Sequence, residues 1–278
     1  MSSEGFKADP SYLVPVALTL VTAYFLTLLV MFARVEVVYI TLFPEGAGGP
    51  LINAALFISM MCITSAIIYA IIKRHLWRIL NLMFVITVAL VVLVLAIFYV
   101  RAFTAAFRGD WNEGAPLTYT SAAILTAIAT YGIFKWEGMK RLTIILLLGG
   151  GLGAFLGVSI PTGSAIALLI LLSLYDVVAV YLGPVGKIAS EAEPERLRGI
   201  SFTFRKVRMG LGDIVFYSML ASRMLLAYGL KAWLASSSGI LVGVYLGLKA
   251  LERKKVLPGL PMALAFGLMA GMATLHIS

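Results

Sequence analysis

Two aspartates stand in surroundings that leave no ordinary place for a charge. Asp176 interrupts the apolar run Leu171-Leu172-Ser173-Leu174-Tyr175-Asp176-Val177-Val178-Ala179-Val180. Asp213 interrupts Met209-Gly210-Leu211-Gly212-Asp213-Ile214-Val215-Phe216. A carboxylate at the centre of a membrane helix costs about 3 kcal/mol on insertion scales, so such residues mark function by default. For either aspartate taken alone, pairing with a neighbouring helix or lining a water-filled path explains it equally well. Two carboxyl groups brought close together in low dielectric are another matter. They cannot both ionise, and the pair shares a proton. One carboxylate then takes a proton from water while the acid polarises a carbonyl, which is the chemistry of aspartic peptide hydrolysis.

Two further clusters sit beside them. Gly210 and Gly212 flank Leu211 just before Asp213, and glycine there lets a second backbone, such as an extended substrate, approach closely. Ordinary helix packing explains a bare Gly-x-Gly as well. Leu257-Pro258-Gly259-Leu260-Pro261 opens the last apolar stretch. Its prolines remove backbone donors and disfavour helix in the residues before them. An irregular strand there could pair with an extended peptide; a helix start with proline in its first turn is the simpler reading.

The elements that must carry these residues follow from composition. Of 278 residues, 61% are hydrophobic and only 13% charged, against about 45–50% and about 25% in soluble domains. A water-soluble globular protein is excluded, and a single cysteine, Cys62, excludes a disulfide-stapled module. Nine apolar stretches run approximately over 11–33, 51–72, 79–100, 118–134, 142–159, 161–183, 209–230, 232–248 and 256–276. The reading is an all-α, polytopic transmembrane bundle of nine spans. The polar lead Met1–Pro10 has no basic n-region, so the first stretch reads as a retained helix. With the N-terminus cytoplasmic, 17 of the 22 Lys and Arg fall in inner segments and 4 in outer ones, with Arg223 inside the seventh span. That bias sets the orientation and puts the C-terminus outside. It also places Asp176 and Asp213 at depths of ~10 Å and ~6 Å from the cytoplasmic face, on consecutive helices that pack as neighbours. The stretch 184–208 is the longest polar segment between late spans. The net charge of +9 is thus mostly loop charge.

Tyr175-Asp176, Gly210-Leu211-Gly212-Asp213 and Pro258-Gly259-Leu260-Pro261 together resemble the presenilin and signal peptide peptidase family of nine-span intramembrane aspartyl proteases. The first two elements match residue for residue. The third departs, with Gly259 where the family usually has alanine. The resemblance is motif-level and covers roughly residues 161–278. The inside N-terminus resembles the presenilin branch, and the compact loops a small archaeal homologue. It implies Asp176 and Asp213 as the catalytic pair. Tyr175, Gly210, Leu211 and Gly212, with Pro258, Gly259, Leu260 and Pro261, are implied as the active-site and substrate-contact motifs. Residues 1–160 would be a scaffold of five helices, and 161–278 a catalytic region of four with cytoplasmic loop 184–208. Substrates would be transmembrane helical peptides met in the lipid bilayer. The enzyme would be an integral multi-pass protein, of the cell membrane if microbial, acting alone or as a homo-oligomer.

The remaining residues weigh against other classes. Arg223 lies ten residues after Asp213, about 280° around a helix and off the aspartate face, and snorkelling to the outer interface accounts for it. Tyr175 serves either as a hydrogen-bond donor near the site or in packing. Gly149, Gly153 and Gly157, then Gly239, Gly243 and Gly247, then Gly267 and Gly271, are spaced as close-packing seams. Cys62, His75 and His276 form no metal-ligand spacing, so neither metal nor cofactor is expected. No Ser/His pair lies within the spans, and no His-Glu-x-x-His occurs, which argues against serine and zinc intramembrane proteases. The basic loops lack aromatic interleaving for nucleic acid. The main rival is a proton- or cation-coupled transporter or channel that uses the aspartates to carry ions. A helix-binding scaffold and a prepilin-peptidase-like enzyme, which also uses Gly-x-Gly-Asp, stand behind it.

Overall fold

A computed structural model describes residues 7–35, 39–108, 115–181, 201–204, 207–252 and 257–276. Most of the 184–208 segment, including its three glutamates, lies outside these residues. The chain begins with a 3-10 turn, Pro10–Leu13, whose Ser11 amide donates to Asp9 Oδ1 at 2.7 Å. It continues through α1 (Val14–Phe32), α2 (Gly49–Lys73), α3 (Trp77–Arg108), α4 (Ala115–Lys135), α5 (Gly138–Ser159) and α6 (Thr162–Tyr181). A β-hairpin follows, β1 (Ser201–Phe204) antiparallel to β2 (Val207–Gly210), with Ser201 opposite Gly210. Then come α7 (Leu211–Leu251), α8 (Leu260–Ala273) and a closing 3-10 turn, Thr274–His276. Six of these helices are long and apolar enough to cross a membrane. Among the described residues the hairpin is the one departure from helix: 201–208 read as polar loop and 209–210 as the start of the seventh span, and they pair as strands.

Helix α7 has 41 residues, about 60 Å if straight and about twice the thickness of a bilayer core. It is not straight. Gly229 takes φ 81° and ψ −171°, a conformation open to glycine and strained for other residues. The two arms fold back on one another about this residue, and α8 lies along both. Gly267 of α8 faces Leu220 and Ile240, while Gly271 faces Met224 and Ser236. Position 220 therefore meets 240, and 224 meets 236, the register of an antiparallel helical hairpin. The seventh and eighth stretches separate at this reversal, two residues before Lys231.

Glycine seams set how close the helices come. On α5, a methyl at Gly149 would collide with Ile214, one at Gly153 with Ser218 and the Val215 carbonyl, and one at Gly157 with Ser222 and the Met219 carbonyl. This row presses α5 onto the first arm of α7, where Ile214, Ser218, Met219 and Ser222 are fully buried. Gly150, one position round, faces α1 at the Thr19 carbonyl. The second arm of α7 meets α8 at Gly239 and Gly243, whose Cβ positions would strike the backbone of Phe266 and of Met262–Ala263. Gly247 does not belong to that seam, since nothing lies within 4 Å of its Cβ position.

The turn between α5 and α6 is held from two sides. Arg223 of α7 donates from Nε to Thr162 Oγ1 at 2.9 Å, and from Nη1 to the Ile160 and Gly157 carbonyls at 3.1 and 3.3 Å. Those carbonyls end α5 and lack intrahelical donors. Arg223 thus caps a neighbouring helix rather than snorkelling outward. On the other side, Glu45 Oε1 accepts from the Ser164 amide at 2.7 Å, a carboxylate on the N-terminus of α6. Buried Asn53 joins the Phe43 backbone to the Ser164 hydroxyl. The end of α6 away from Asp176 is therefore pinned.

Candidate active site

Asp176 stands five residues before the end of α6, and Asp213 is the third residue of α7. Both are half-buried. The peptide that joins them is the start of α8. The Leu260 amide donates to Asp176 Oδ2 at 3.0 Å, and the Gly259 amide faces the same carboxylate. Gly259 is the N-cap of α8, with φ −79° and ψ −38°. Of the two readings of 258–261, strand or helix start, the chain takes the helix start, with Pro261 in the first turn, where its missing amide hydrogen costs no hydrogen bond. Asp176 therefore sits at the unsatisfied amides of a helix N-terminus, where a negative charge is favoured.

Asp213 approaches the same residue from the other side. A methyl added at Gly259 would lie 2.8 Å from Asp213 Oδ2. The glycine that departs from the family's alanine therefore leaves space that the Asp213 carboxylate occupies. The two carboxylates thus meet at one dipeptide, Asp176 on the Leu260 amide and Asp213 beside Gly259. Asp213 also faces the amide of Gly210, the N-cap of α7. An acid at the third helical position reaching back to the N-cap amide is half of a capping box.

Tyr217 completes the junction. One turn after Asp213 on α7, only 4% exposed, it donates its hydroxyl to the Gly259 carbonyl at 2.9 Å. Gly259–Leu260 is thus gripped at its carbonyl by α7 and at its amides by α6. The sequence reading passed over Tyr217. The available signal was a tyrosine four residues after Asp213 on one helical face, because a buried phenol needs a hydrogen-bond partner. Removing the hydroxyl, Tyr217→Phe, leaves the buried carbonyl unpaired. The expected loss is about 1–2 kcal/mol of stability, read as a lowered Tm in detergent.

Tyr175 turns away from the pair. Its hydroxyl and Ser65 Oγ of α2 lie 3.1 Å apart, so it ties α6 to α2 one residue before Asp176. Leu211 packs into the core with a methyl 3.6 Å from the Cβ position of Gly149. Gly210 and Gly212 behave differently from the seam glycines. A methyl at Gly212 would meet only the Phe216 ring, at 3.9 Å, and one at Gly210 only Asp213 itself, at 3.5 Å or more. The backbone of Gly210 is ordinary extended chain, φ −73° and ψ 142°. Neither internal packing nor conformation requires glycine at these two positions.

A cavity of about 120 Å³ borders Asp213, Tyr217 and Gly259 and is lined also by Val16, Val244 and Leu248. Its volume has room for a few water molecules next to one carboxylate. Among the described residues no three His, Cys, Asp or Glu side chains come together, and Cys62 is exposed on α2.

Known proteins resemble this chain in sequence and in fold. The sequence model of the presenilin family, described as Presenilin, matches residues 187–277. Presenilin-B of Dictyostelium discoideum is 29% identical over 169 residues, covering 55% of this chain and 35% of that protein. The chain thus matches about a third of the length of that curated relative. Two solved structures of a presenilin family intramembrane aspartate protease share the fold. In the C222 space group the TM-score is 0.68 at 16% identity, over 96% of this chain and 99% of the other. In the P2 space group it is 0.65 at 17% identity, over 95% and 96%. The chain resembles the presenilin family in sequence and in fold, and it is an integral, multi-pass membrane protein.

Proposed function

We propose, from this presenilin-like chain, that it is an intramembrane aspartyl endopeptidase which cleaves transmembrane segments with a water activated between Asp176 and Asp213. The observation that carries the reading is the junction at Gly259–Leu260, where aspartates from two different helices converge on one dipeptide. One carboxylate acts as base toward the water and the other, protonated, donates toward the scissile carbonyl. The hydroxide adds to that carbonyl, and the departing amide nitrogen takes a proton as the C–N bond breaks.

A helical substrate must be opened before its backbone is attacked, and extended chain beside Asp213 is what such a segment would pair with. Strand β2 runs directly into Gly210, and among the described residues its one strand partner is β1. The open Cβ positions of Gly210 and Gly212 support close passage of a second backbone there. In this account Tyr217 is a positioning residue that acts through Gly259, and Tyr175 positions α6 through Ser65.

The finer topology belongs to the same proposal. The hairpin of α7 supplies two crossings, and α4 and α8 complete nine, with a cytoplasmic N-terminus. Residues 1–160 form the scaffold and 161–278 the catalytic region. In a microbial host the protein resides in the cell membrane, alone or as a homo-oligomer.

Purified protein in liposomes with a single-span peptide tests the reading. Cleavage within the span, blocked by a hydroxyl-bearing transition-state isostere, is the expected result. An intact peptide together with proton or cation flux that depends on the aspartates would replace the protease reading with the transporter.

A further inference from the structure

Away from the aspartates, α1, α3, α4 and α5 enclose an apolar groove of about 570 Å³. On α5 its wall is Ile144, Leu147, Leu148 and Gly151; on α4 it is Leu125, Ile128 and Ala129, with Trp136 in the connection between them. The Tyr99 hydroxyl in its wall is already committed, donating to the Gly151 carbonyl at 2.6 Å. The groove interior is thus hydrocarbon-like along its length.

Its end is not. Lys140 is four residues before Ile144, on the α5 face that lines the groove. Lys135 is seven residues after Ile128, on the corresponding face of α4. Both lysines are exposed, and Trp136 lies between them in sequence and on the groove wall. Arg141 adds a third cation and Glu137 one opposing charge. From Lys140 to Gly151 the helix rises about 16 Å, half of the ~30 Å hydrocarbon core.

We infer that this groove is a binding site for one anionic phospholipid, its phosphate on Lys135 and Lys140 at the α4–α5 junction and one acyl tail in the groove. Three features select that occupant. The groove is as long as one leaflet, its walls match an acyl chain, and the cations stand where a headgroup of that leaflet lies. A tryptophan beside them is an interfacial residue by preference. A zwitterionic lipid would fill the same groove without using the charges. The inference is independent of the protease reading.

Trp136 reports on the site directly. The protein contains four tryptophans, so its signal is the difference between wild type and Trp136→Phe. In nanodiscs of otherwise identical composition, bromine-labelled phosphatidylglycerol should quench that signal at a mole fraction about tenfold lower than bromine-labelled phosphatidylcholine needs. Lys135→Gln/Lys140→Gln alters only exposed side chains and should abolish the difference while leaving quenching itself in place. Filling the groove with Ala129→Phe should weaken quenching by both lipids. Equal quenching by the two lipids in wild type, or a preference that survives the double lysine substitution, would overturn the inference. Undiminished quenching in a folded Ala129→Phe protein would contradict placement of the tail.

Discussion

Asp176→Asn and Asp213→Asn should each lower the cleavage rate by about 10³-fold or more, with the double variant no worse than either single one. The size follows from removing one half of a paired acid–base device. The lack of additivity follows because the two groups act as a unit. Asparagine is the informative replacement. At position 176 its carbonyl oxygen still accepts from the Leu260 amide, so the start of α8 stays in place while proton transfer is lost. At position 213 its volume still fills the space beside Gly259. Alanine would mix chemistry with structure, because Asp176→Ala strips the amides of an N-terminus of their partner. Rates measured alongside Tm separate the two. Both Asn variants should unfold within about 1 kcal/mol of wild type, the scale of a charge at a helix terminus.

Gly243→Leu should be the most damaging substitution outside the pair, because it acts on backbone. A Cβ at that position would lie 2.5 Å from the Met262 carbonyl oxygen and 2.6 Å from the Ala263 Cα. Neither atom can rotate away, so α8 must move off the second arm of α7. Overpacking of this kind costs about 3 kcal/mol or more. The displaced element is also the one that carries Gly259–Leu260 to the aspartates, so activity should fall with stability. Gly247→Ala is the matched control. It lies one turn along the same helix with nothing within 4 Å of its Cβ position, and should change stability by no more than about 0.5 kcal/mol. Thermal unfolding of the three proteins in one detergent checks the contrast; equal Tm values would remove the seam from the account.

Much of this architecture is legible in the sequence. Apolar runs are written continuously in sequence, so the helices appear where the stretches lie, and Lys231 marks the reversal of α7 because a cation between two such runs must sit at a turn. Asp176 and Asp213 stand out because the medium around them is uniform. What stayed hidden depends on partners distant in the chain. The angular argument on Arg223 rightly separates it from the aspartate face, yet its true partners are carbonyls at the end of α5, more than sixty residues away. Glu45 reads as a loop acid and proves to be the cap of α6. The prolines at 258 and 261 favour a helix start in sequence but leave an irregular strand open. The Asp176 contact with the first amides of α8 shows the helix start. Among glycines, spacing alone did not distinguish Gly243, which is packed, from Gly247, which is open.

The central claim is that two aspartates on separate helices share one water to cut a peptide bond inside the membrane. Cleavage of a single-span peptide in liposomes prepared in H₂¹⁸O tests it, with the products weighed by mass spectrometry. The account predicts that each new C-terminal carboxylate carries one oxygen from water, at a bond within the span, and that neither Asp176→Asn nor Asp213→Asn yields labelled product above background. Labelled product formed by either variant at the wild-type rate would contradict it.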